Sequence, residues 1–560
     1  MSKFSDPMRV SSGWPLSGFL WSLLWAVLLV SALVSRPILP VDETRYISVA
    51  WEMWLRDNFL VPHLNGATYS HKPPLLFWLI NAGWGIFGLN DITPRIVAPL
   101  FGLGSLVMTS LLSRRLWPES SAYSLAPFLL LGCFYWGLYT TLTMFDLILA
   151  FWTLVGLYGL TGVWRGLAWR GWILFGCAVG IGVLSKGPVI LVYLLPSALL
   201  APYWAIGGRR PSWVKWYGGL IGGTILGAGL ALAWVLPAGE AGGEAYKNAI
   251  LWGQSAGRMV KSFAHQKPFW WYLSILPGLL LPWLIWPSFL KNICCVVVDW
   301  RLSRKENLSR KADAGLRLIL VWALAALVIF SVISGKRPHY LLPMFPALAL
   351  GGAMLLTKLS ADQWVRGRWD LAPFAGITIL FGAAILLSPL IAAGIGKLEY
   401  VQGVSLMWSL PLFAVGILFL IRPPPGGFSR ILSISAASTL VVITVHGIAQ
   451  PRLELAYNLQ PLANHLAAAQ GEGYVIANKD KYHGQYNFLG RLKNPVVFTD
   501  SKLLPSWLKK NPKSKVVSYH YQSPAKFNPE FFQEFRGRFI AVWDGEMLSG
   551  NPAMANRKYD

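Results

Sequence analysis

Long apolar runs dominate the pattern of hydrophobic and polar positions. Segments of about 18 to 23 apolar residues, enough to cross ~30 Å of hydrocarbon at 1.5 Å per residue, recur through most of the chain. They fall near 17–38, 92–113, 121–138, 143–163, 171–185, 188–206, 216–238, 269–290, 316–334, 340–357, 372–394, 404–421 and 430–449. The pattern predicts an all-α membrane part with about thirteen transmembrane helices. Two intervening loops are long, 39–91 and 239–268. The first carries apolar residues at helical spacing (Tyr46, Val49, Ala50, Met53, Trp54), the mark of a helix lying in the membrane interface. From about 452 the pattern shortens. Extended runs at Tyr474–Ala477, Pro495–Phe498, Lys515–Tyr519 and Phe539–Trp543 alternate with helical patterns over 459–470, 501–510 and 528–536. This predicts a small C-terminal α/β domain over 452–560, following a membrane domain over 1–451.

Composition agrees with the membrane class. Apolar residues make up 54% and charged residues 13% of 560, against about 25% charged in soluble proteins. The formal charge of +24 has its first explanation in cytoplasmic loops and anionic lipid, so no nucleic-acid partner is expected. Its placement sets the topology. One alternating set of loops carries Arg114 and Arg115, Arg165 and Arg170, Arg209, Arg210 and Lys215, the stretch from Lys291 to Arg317, then Lys358, Arg366 and Arg368, and Arg422 and Arg430. By the positive-inside rule that set is cytoplasmic. With an odd number of spans, the N-terminus is inside and the C-terminal domain outside. No cleavable signal is evident, and the run from about 17 to 34 reads as the first span. Cys133, Cys177, Cys294 and Cys295 lie in or at the end of apolar segments and read as small apolar side chains rather than as a metal site.

Four polar groups fall on the external side, where ionisable residues at helix ends are functional candidates. The first is Val41-Asp42-Glu43-Thr44-Arg45-Tyr46, which also suits a plain helix start with acids at the positive end of the dipole. The second is His63-Leu64-Asn65-Gly66 with Tyr69-Ser70-His71-Lys72-Pro73-Pro74; taken alone it is a polar turn with a proline stop. The third, Thr141 to Asp146, puts a carboxylate at the external end of the fourth span, where it would also serve as a cap or an arginine's partner. The fourth joins Arg258, Lys261, His265, Lys267 and Pro268-Phe269-Trp270-Trp271-Tyr272 to Lys336-Arg337-Pro338-His339-Tyr340, cations that also fit as interface anchors. Together, carboxylates and cations converging on one membrane face suit an anionic lipid substrate: Arg and Lys hold phosphate, and a carboxylate orients or deprotonates an acceptor.

The order Asp-Glu-Thr-Arg-Tyr, Pro-His-Leu-Asn-Gly, Lys-Pro-Pro, Asp146, Arg258 before Pro-Phe-Trp, and Lys336 through Pro343 resembles the bacterial aminoarabinose lipid A transferases. These stand with the protein O-mannosyltransferases among polyprenyl-phosphate-dependent glycosyltransferases of the GT-C fold. The resemblance covers about residues 15 to 450. It implies an inner-membrane enzyme that takes a sugar from an undecaprenyl-phosphate donor to lipid A or another lipopolysaccharide component. It implies that Asp42 acts at the acceptor, that Asp146 is a second essential carboxylate, that Lys72 and Arg258 hold the polyprenyl phosphate, and that Tyr340 lines the same cavity. Glu43, Tyr69 and Lys336 join them as expected substrate contacts. The family commonly has Glu before Lys-Pro-Pro. Here that residue is His71, so any role of that Glu, metal binding included, does not carry over. An imidazole is itself a competent metal ligand, which leaves His71 and His265 as candidates should a divalent metal take part. Two other readings remain: a protein O-mannosyltransferase-like enzyme, and a lipid or sugar transporter. A transporter would place ionisable groups near mid-membrane on broken helices, often in inverted repeats, and here they cluster at one face with no repeat.

Overall fold

The computed structural model describes residues 14–253, 266–294, 313–359, 364–365 and 367–555. The chain opens with α1 (Trp14–Ser35) and α2 (Asp42–Arg56). The hairpin β1 (His63–Leu64) and β2 (Ala67–Thr68), then α3 (Leu75–Phe87), complete the first long loop. The apolar bundle continues with α4 (Ile92–Leu116), α5 (Ala122–Leu131), α6 (Phe134–Tyr139), α7 (Phe145–Trp164) and α8 (Ala168–Lys186). Among the described residues nine helices are long and apolar enough to cross a membrane. Shorter apolar helices cover Leu75–Phe87, Ala122–Leu131, Ile190–Leu199 and Leu406–Ile421.

In two of the expected spans the helix breaks, and these two breaks face each other. The run 121–138 divides at Gly132 and Cys133 between α5 and α6. The run 269–290 holds a nine-residue helix, Trp271–Leu279, and then turns at Pro282. The freed groups are satisfied across the gap: Phe134 N donates to Leu281 O at 2.9 Å, Trp283 Nε1 to Leu129 O at 2.7 Å, and Cys133 Sγ to Leu279 O at 3.0 Å. Backbone away from water must find partners, so irregular segments are tolerated where they meet. Gly132 leaves no room for a side chain, since a Cβ there would stand 2.7 Å from both Ser435 Oγ and the Trp283 ring.

Helices α7 and α8 pack through small residues. A Cβ on Gly159 would reach Gly171 O at 2.7 Å, and one on Gly171 would reach Gly159 O at the same distance, so the backbones touch. Helices running antiparallel at this spacing bring the start of α7 beside the end of α8.

The C-terminal part follows a 31-residue helix, Gly427–Tyr457, and a shorter one, Gln460–Gly471. Five strands lie in the order β4-β3-β5-β7-β6: β3 (Val475–Lys479), β4 (Val497–Thr499), β5 (Ser514–His520), β6 (Phe531–Phe535) and β7 (Arg538–Asp544). Strand β3 is parallel to both β4 and β5, whereas β7 is antiparallel to β5 and β6. The expected helix over 528–536 is instead strand β6. The reason is the turn: Arg536 and Gly537 both take positive φ (55° and 75°), the two-residue geometry that closes a hairpin onto β7.

The C-terminal part is pinned to the first loop. The Asn65-Gly66 turn, with φ of 53° and 83°, closes β1 onto β2, and its backbone amides are held by the Glu52 carboxylate of α2. Asn65 then pairs with Val496 in both directions at 2.7 Å. Ser48 donates to Gly484 O at 2.6 Å, Trp51 Nε1 donates to Leu492 O at 3.1 Å, and the Trp84 and Phe488 rings stack at 5.2 Å. Asn65→Ala removes two of these bonds and the side chain that best tolerates positive φ, at a cost of about 1 to 3 kcal/mol. Limited proteolysis of purified protein should then release the C-terminal part faster; an unchanged rate would show that the Asn65 pairing does not hold it.

Candidate functional site

The site begins where α1 gives way to α2. Asp42 and Glu43 occupy the first turn of α2, where carboxylates oppose the positive end of the helix dipole. They face different ways. Glu43 is 3% exposed, and its two oxygens accept four hydrogen bonds: Arg36 Nη1 at 2.6 Å, Arg36 Nη2 at 3.2 Å, Leu39 N at 2.9 Å and Thr143 N at 2.7 Å. Burial would raise this carboxyl. The charge of Arg36 and the bonds from Arg36, Thr143 and Leu39 outweigh it and hold the group below the usual carboxylate range. A carboxylate offers about four lone-pair sites, and all are taken. Glu43, expected as a substrate contact, is thus engaged by the protein itself as a strut.

Arg36 carries the strut further. Its Nη2 also donates to Thr141 O at 2.5 Å, and Arg95 of α4 donates to Arg36 O at 2.8 Å and to Ala32 O and Leu33 O at 2.9 and 3.1 Å. One buried knot thus fixes the end of α1, the start of α2 and the turn that leads into α7.

Asp42, by contrast, is 39% exposed along its side chain and pairs with Arg45 one turn on. The Tyr46 hydroxyl reaches the same carboxylate at 3.5 Å. Burial, then the Asp42 charge and Tyr69, push that phenol up, so it stays protonated and donates. The Tyr46 ring meets the Phe145 ring edge-on at 4.8 Å, Phe77 meets Phe145 at 5.7 Å, and the Lys72 ammonium lies 5.9 Å from the same ring. Phe145 is the residue before Asp146. A single aromatic side chain therefore joins the Asp42 face to the Asp146 face.

Asp146 stands in the first turn of α7, 2% exposed, in an ion pair with Lys186 at the last turn of α8. Lys186 also sits 5.0 Å from the centre of the Tyr340 ring. The Tyr193 hydroxyl bonds Tyr340 O at 2.5 Å, which holds the start of that segment. Lys72 acts electrostatically on Asp146 as well. The structure thus brings Asp42, Asp146, Lys72, Tyr69 and Tyr340 to one end of the bundle. Lys186 is the member that the sequence reading missed, although a lysine closing an apolar helix before Gly187-Pro188 was a usable signal.

Other expected contacts lie differently. Lys336 is 3% exposed and donates to Lys267 O at 3.1 Å and Ile333 O at 2.5 Å, pinning the segment before Pro338 to the one before Pro268. Tyr69 is buried, its ring 5.3 Å from exposed His71 and 6.2 Å from Phe77. Arg258, Lys261 and His265 lie outside the described residues. Among the described residues no group of three His, Cys, Asp or Glu side chains stands close enough to hold a metal ion, and no step is assigned to one.

Removing one partner of a buried ion pair strands the other charge, at about 3 to 5 kcal/mol. Asp146→Asn and Lys186→Met should each lower the thermal midpoint of the purified protein, and the double variant should recover most of the loss. A double variant no more stable than the singles would show that the two charges are not coupled.

Comparison with known proteins follows the same lines. Residues 71–238 match the family model described as dolichyl-phosphate-mannose-protein mannosyltransferase. The chain is 30% identical over 367 residues to an undecaprenyl phosphate-alpha-4-amino-4-deoxy-L-arabinose arabinosyl transferase of Pseudomonas fluorescens Pf-5, a match spanning 64% of this chain and 62% of that protein. It is 27% identical over 512 residues to a protein of the same name from P. fluorescens Pf0-1, covering 86% and 84% of the two chains. The crystal structure of ArnT from Cupriavidus metallidurans bound to undecaprenyl phosphate superposes with a TM-score of 0.71 at 18% identity, over 95% of this chain and 98% of that one. Motif order, sequence similarity and fold agree on a multi-pass membrane protein of GT-C architecture that is similar to the aminoarabinose transferases, over less than two thirds of the length of the Pf-5 protein, and to the protein mannosyltransferases.

Proposed function

We propose that the chain is an integral-membrane glycosyltransferase that moves a sugar from undecaprenyl phosphate to a cell-envelope acceptor, lipid A or another lipopolysaccharide component, in the bacterial inner membrane. The observation that carries this reading is the gathering of Asp42, Asp146, Lys72 and Lys186 around Phe145 at one end of the helices. The relatives' names support the donor class, and the gathered carboxylates and cations support a site for it.

The chemistry then follows from the leaving group. The bond between the sugar's anomeric carbon and the phosphate oxygen breaks, and its electrons stay on the carrier as a phosphate monoester. Cations stabilise that growing charge without a general acid. Lys72 is the described cation assigned to it, with Arg258 from the second long loop. Lys186 is already paired, so Asp146 sets its position beside Tyr340. Asp42, the exposed carboxylate, serves the acceptor: it takes the proton of a hydroxyl nucleophile, or orients a nucleophile that is already an anionic phosphate. Tyr69 and Tyr340 wall the cavity, while Glu43 and Lys336 position the segments that carry the rest. The match of residues 71–238 to the mannosyltransferase family keeps one second reading, transfer to a protein Ser or Thr.

Mass spectrometry of lipid A and core oligosaccharide from cells with and without the gene tests the reading. A missing sugar is expected in the deleted strain, restored by the wild-type chain and by neither Asp42→Asn nor Asp146→Asn. Lys72→Ala and Arg258→Ala should weaken binding of undecaprenyl phosphate by roughly tenfold or more, as befits charge-assisted contacts. Lipid and core profiles that do not change on deletion, with a change in glycosylated envelope proteins, would move the assignment to the second reading.

The proposed topology places the N-terminus in the cytoplasm and residues 452–560 in the periplasm, on the strength of the Arg- and Lys-rich loops. A C-terminal tag should be accessible to protease in spheroplasts, and a protected tag would reverse the orientation.

A further inference from the structure

The loop from 480 to 496 stands apart from the groups assigned so far. It belongs to the C-terminal part, yet it lies against the helix that carries Asp42. Two independent features bring it there.

The first is topological. The chain leaves β3 to form β4 on one side of it and crosses to form β5 on the other, so strand order reverses at β3. Open parallel sheets bind ligands outside the carboxyl ends of their strands at such a reversal. Loop 480–496 leaves the carboxyl end of β3, after Lys479. The loop at that edge is the one held by Ser48 of α2.

The second is the register of α2. Asp42, Arg45, Ser48 and Glu52 are spaced three, three and four residues apart and share one face of the helix. Ser48 is bonded on both sides by the loop, donating to Gly484 O at 2.6 Å and accepting from Phe488 N at 3.2 Å. Gly484 permits the approach: its φ is 71°, and a Cβ there would meet Leu64 Cδ1 at 2.4 Å. Gln485 Oε1 accepts from His483 N at 2.8 Å and shapes the turn. The face of α2 that begins at Asp42 is thus continued by His483 and its neighbours, next to Arg45.

We propose that Lys481 and His483 of this loop form the far wall of the acceptor site and recognise a phosphorylated lipid headgroup, with Arg45 on the opposite side. The inference rests on the glycosyltransferase reading and assigns to loop 480–496 the side chains that hold the acceptor. Lys481 is exposed and His483 is half-buried. The charged groups acting on the His483 ring are Arg45, Lys481 and Asp42. Burial first, then Arg45 and Lys481, push the imidazole down, while Asp42 opposes them, so near neutrality the ring is a neutral hydrogen-bonding group and Lys481 carries the charge. An ammonium and an imidazole above, with the Asp42 and Arg45 pair below, hold a phosphate monoester at the rim and present an adjacent oxygen to Asp42.

The test uses the full chain in nanodiscs, with two acceptors: lipid A bearing both phosphates, and lipid A lacking one of them. Lys481→Ala and His483→Gln should each raise the apparent KM for the phosphorylated acceptor, the double variant by roughly tenfold or more, with undecaprenyl phosphate affinity within about twofold of wild type. Lys481→Glu should raise it further. With the phosphate that is recognised removed, the lysine and its variants should differ little. An unchanged KM in the double variant would overturn the proposal, as would an equal rise with both acceptors for each phosphate position tested. Wild-type protein that neither binds undecaprenyl phosphate nor transfers to lipid A would instead overturn the glycosyltransferase reading.

Discussion

The site depends on a carboxylate that never meets solvent. Glu43 sits in a low-dielectric pocket where an unpaired charge costs several kcal/mol, and it stays ionised because Arg36 and two backbone amides satisfy it. Each of those partners belongs to a different segment: the end of α1, the approach to α2, and the turn before α7. Such an arrangement contributes little net stability, because desolvating two charges consumes most of their attraction. Its effect is geometric. The neighbouring residue is Asp42, and three residues after Thr143 comes Asp146. Holding Glu43 in place therefore sets where both exposed and buried carboxylates of the site stand.

A second pairing repeats the logic on the other side of Phe145. Asp146 and Lys186 come from the start and end of adjacent helices whose backbones touch at Gly159 and Gly171. The small residues decide how closely α7 and α8 approach, and the approach decides whether the two charges can pair. Packing deep in the bundle is thus coupled to chemistry at its rim. The broken segments around Gly132 and Pro282 are joined in a similar way, because backbone groups freed at one break find partners at the other.

The C-terminal part joins this scheme through α2. One face of that helix carries Asp42, holds loop 480–496 through Ser48, and clamps the Asn65-Gly66 turn through Glu52.

Much of this was legible in the sequence. Apolar runs too long for a soluble core, the Arg- and Lys-rich loops and the shift of pattern near 452 are local properties, and they determined the membrane class and the C-terminal sheet. Motif order carried the resemblance and named Asp42, Asp146, Lys72 and Tyr340, which the fold places at one end of the bundle. What tertiary structure alone decided was which charges remain available. Asp42 and Glu43 are adjacent and look alike in sequence, but one is partly exposed and the other is saturated by Arg36, Leu39 and Thr143. Lys336 looks like a phosphate ligand and donates to two backbone carbonyls. Lys186 looks like a helix end and partners Asp146 from 40 residues away. Strand β6 carried a helical pattern and became a strand because the Arg536-Gly537 turn returned it to β7. In each case the missing information was a partner distant in sequence, and a local pattern cannot report whether a donor or acceptor has already been satisfied by one.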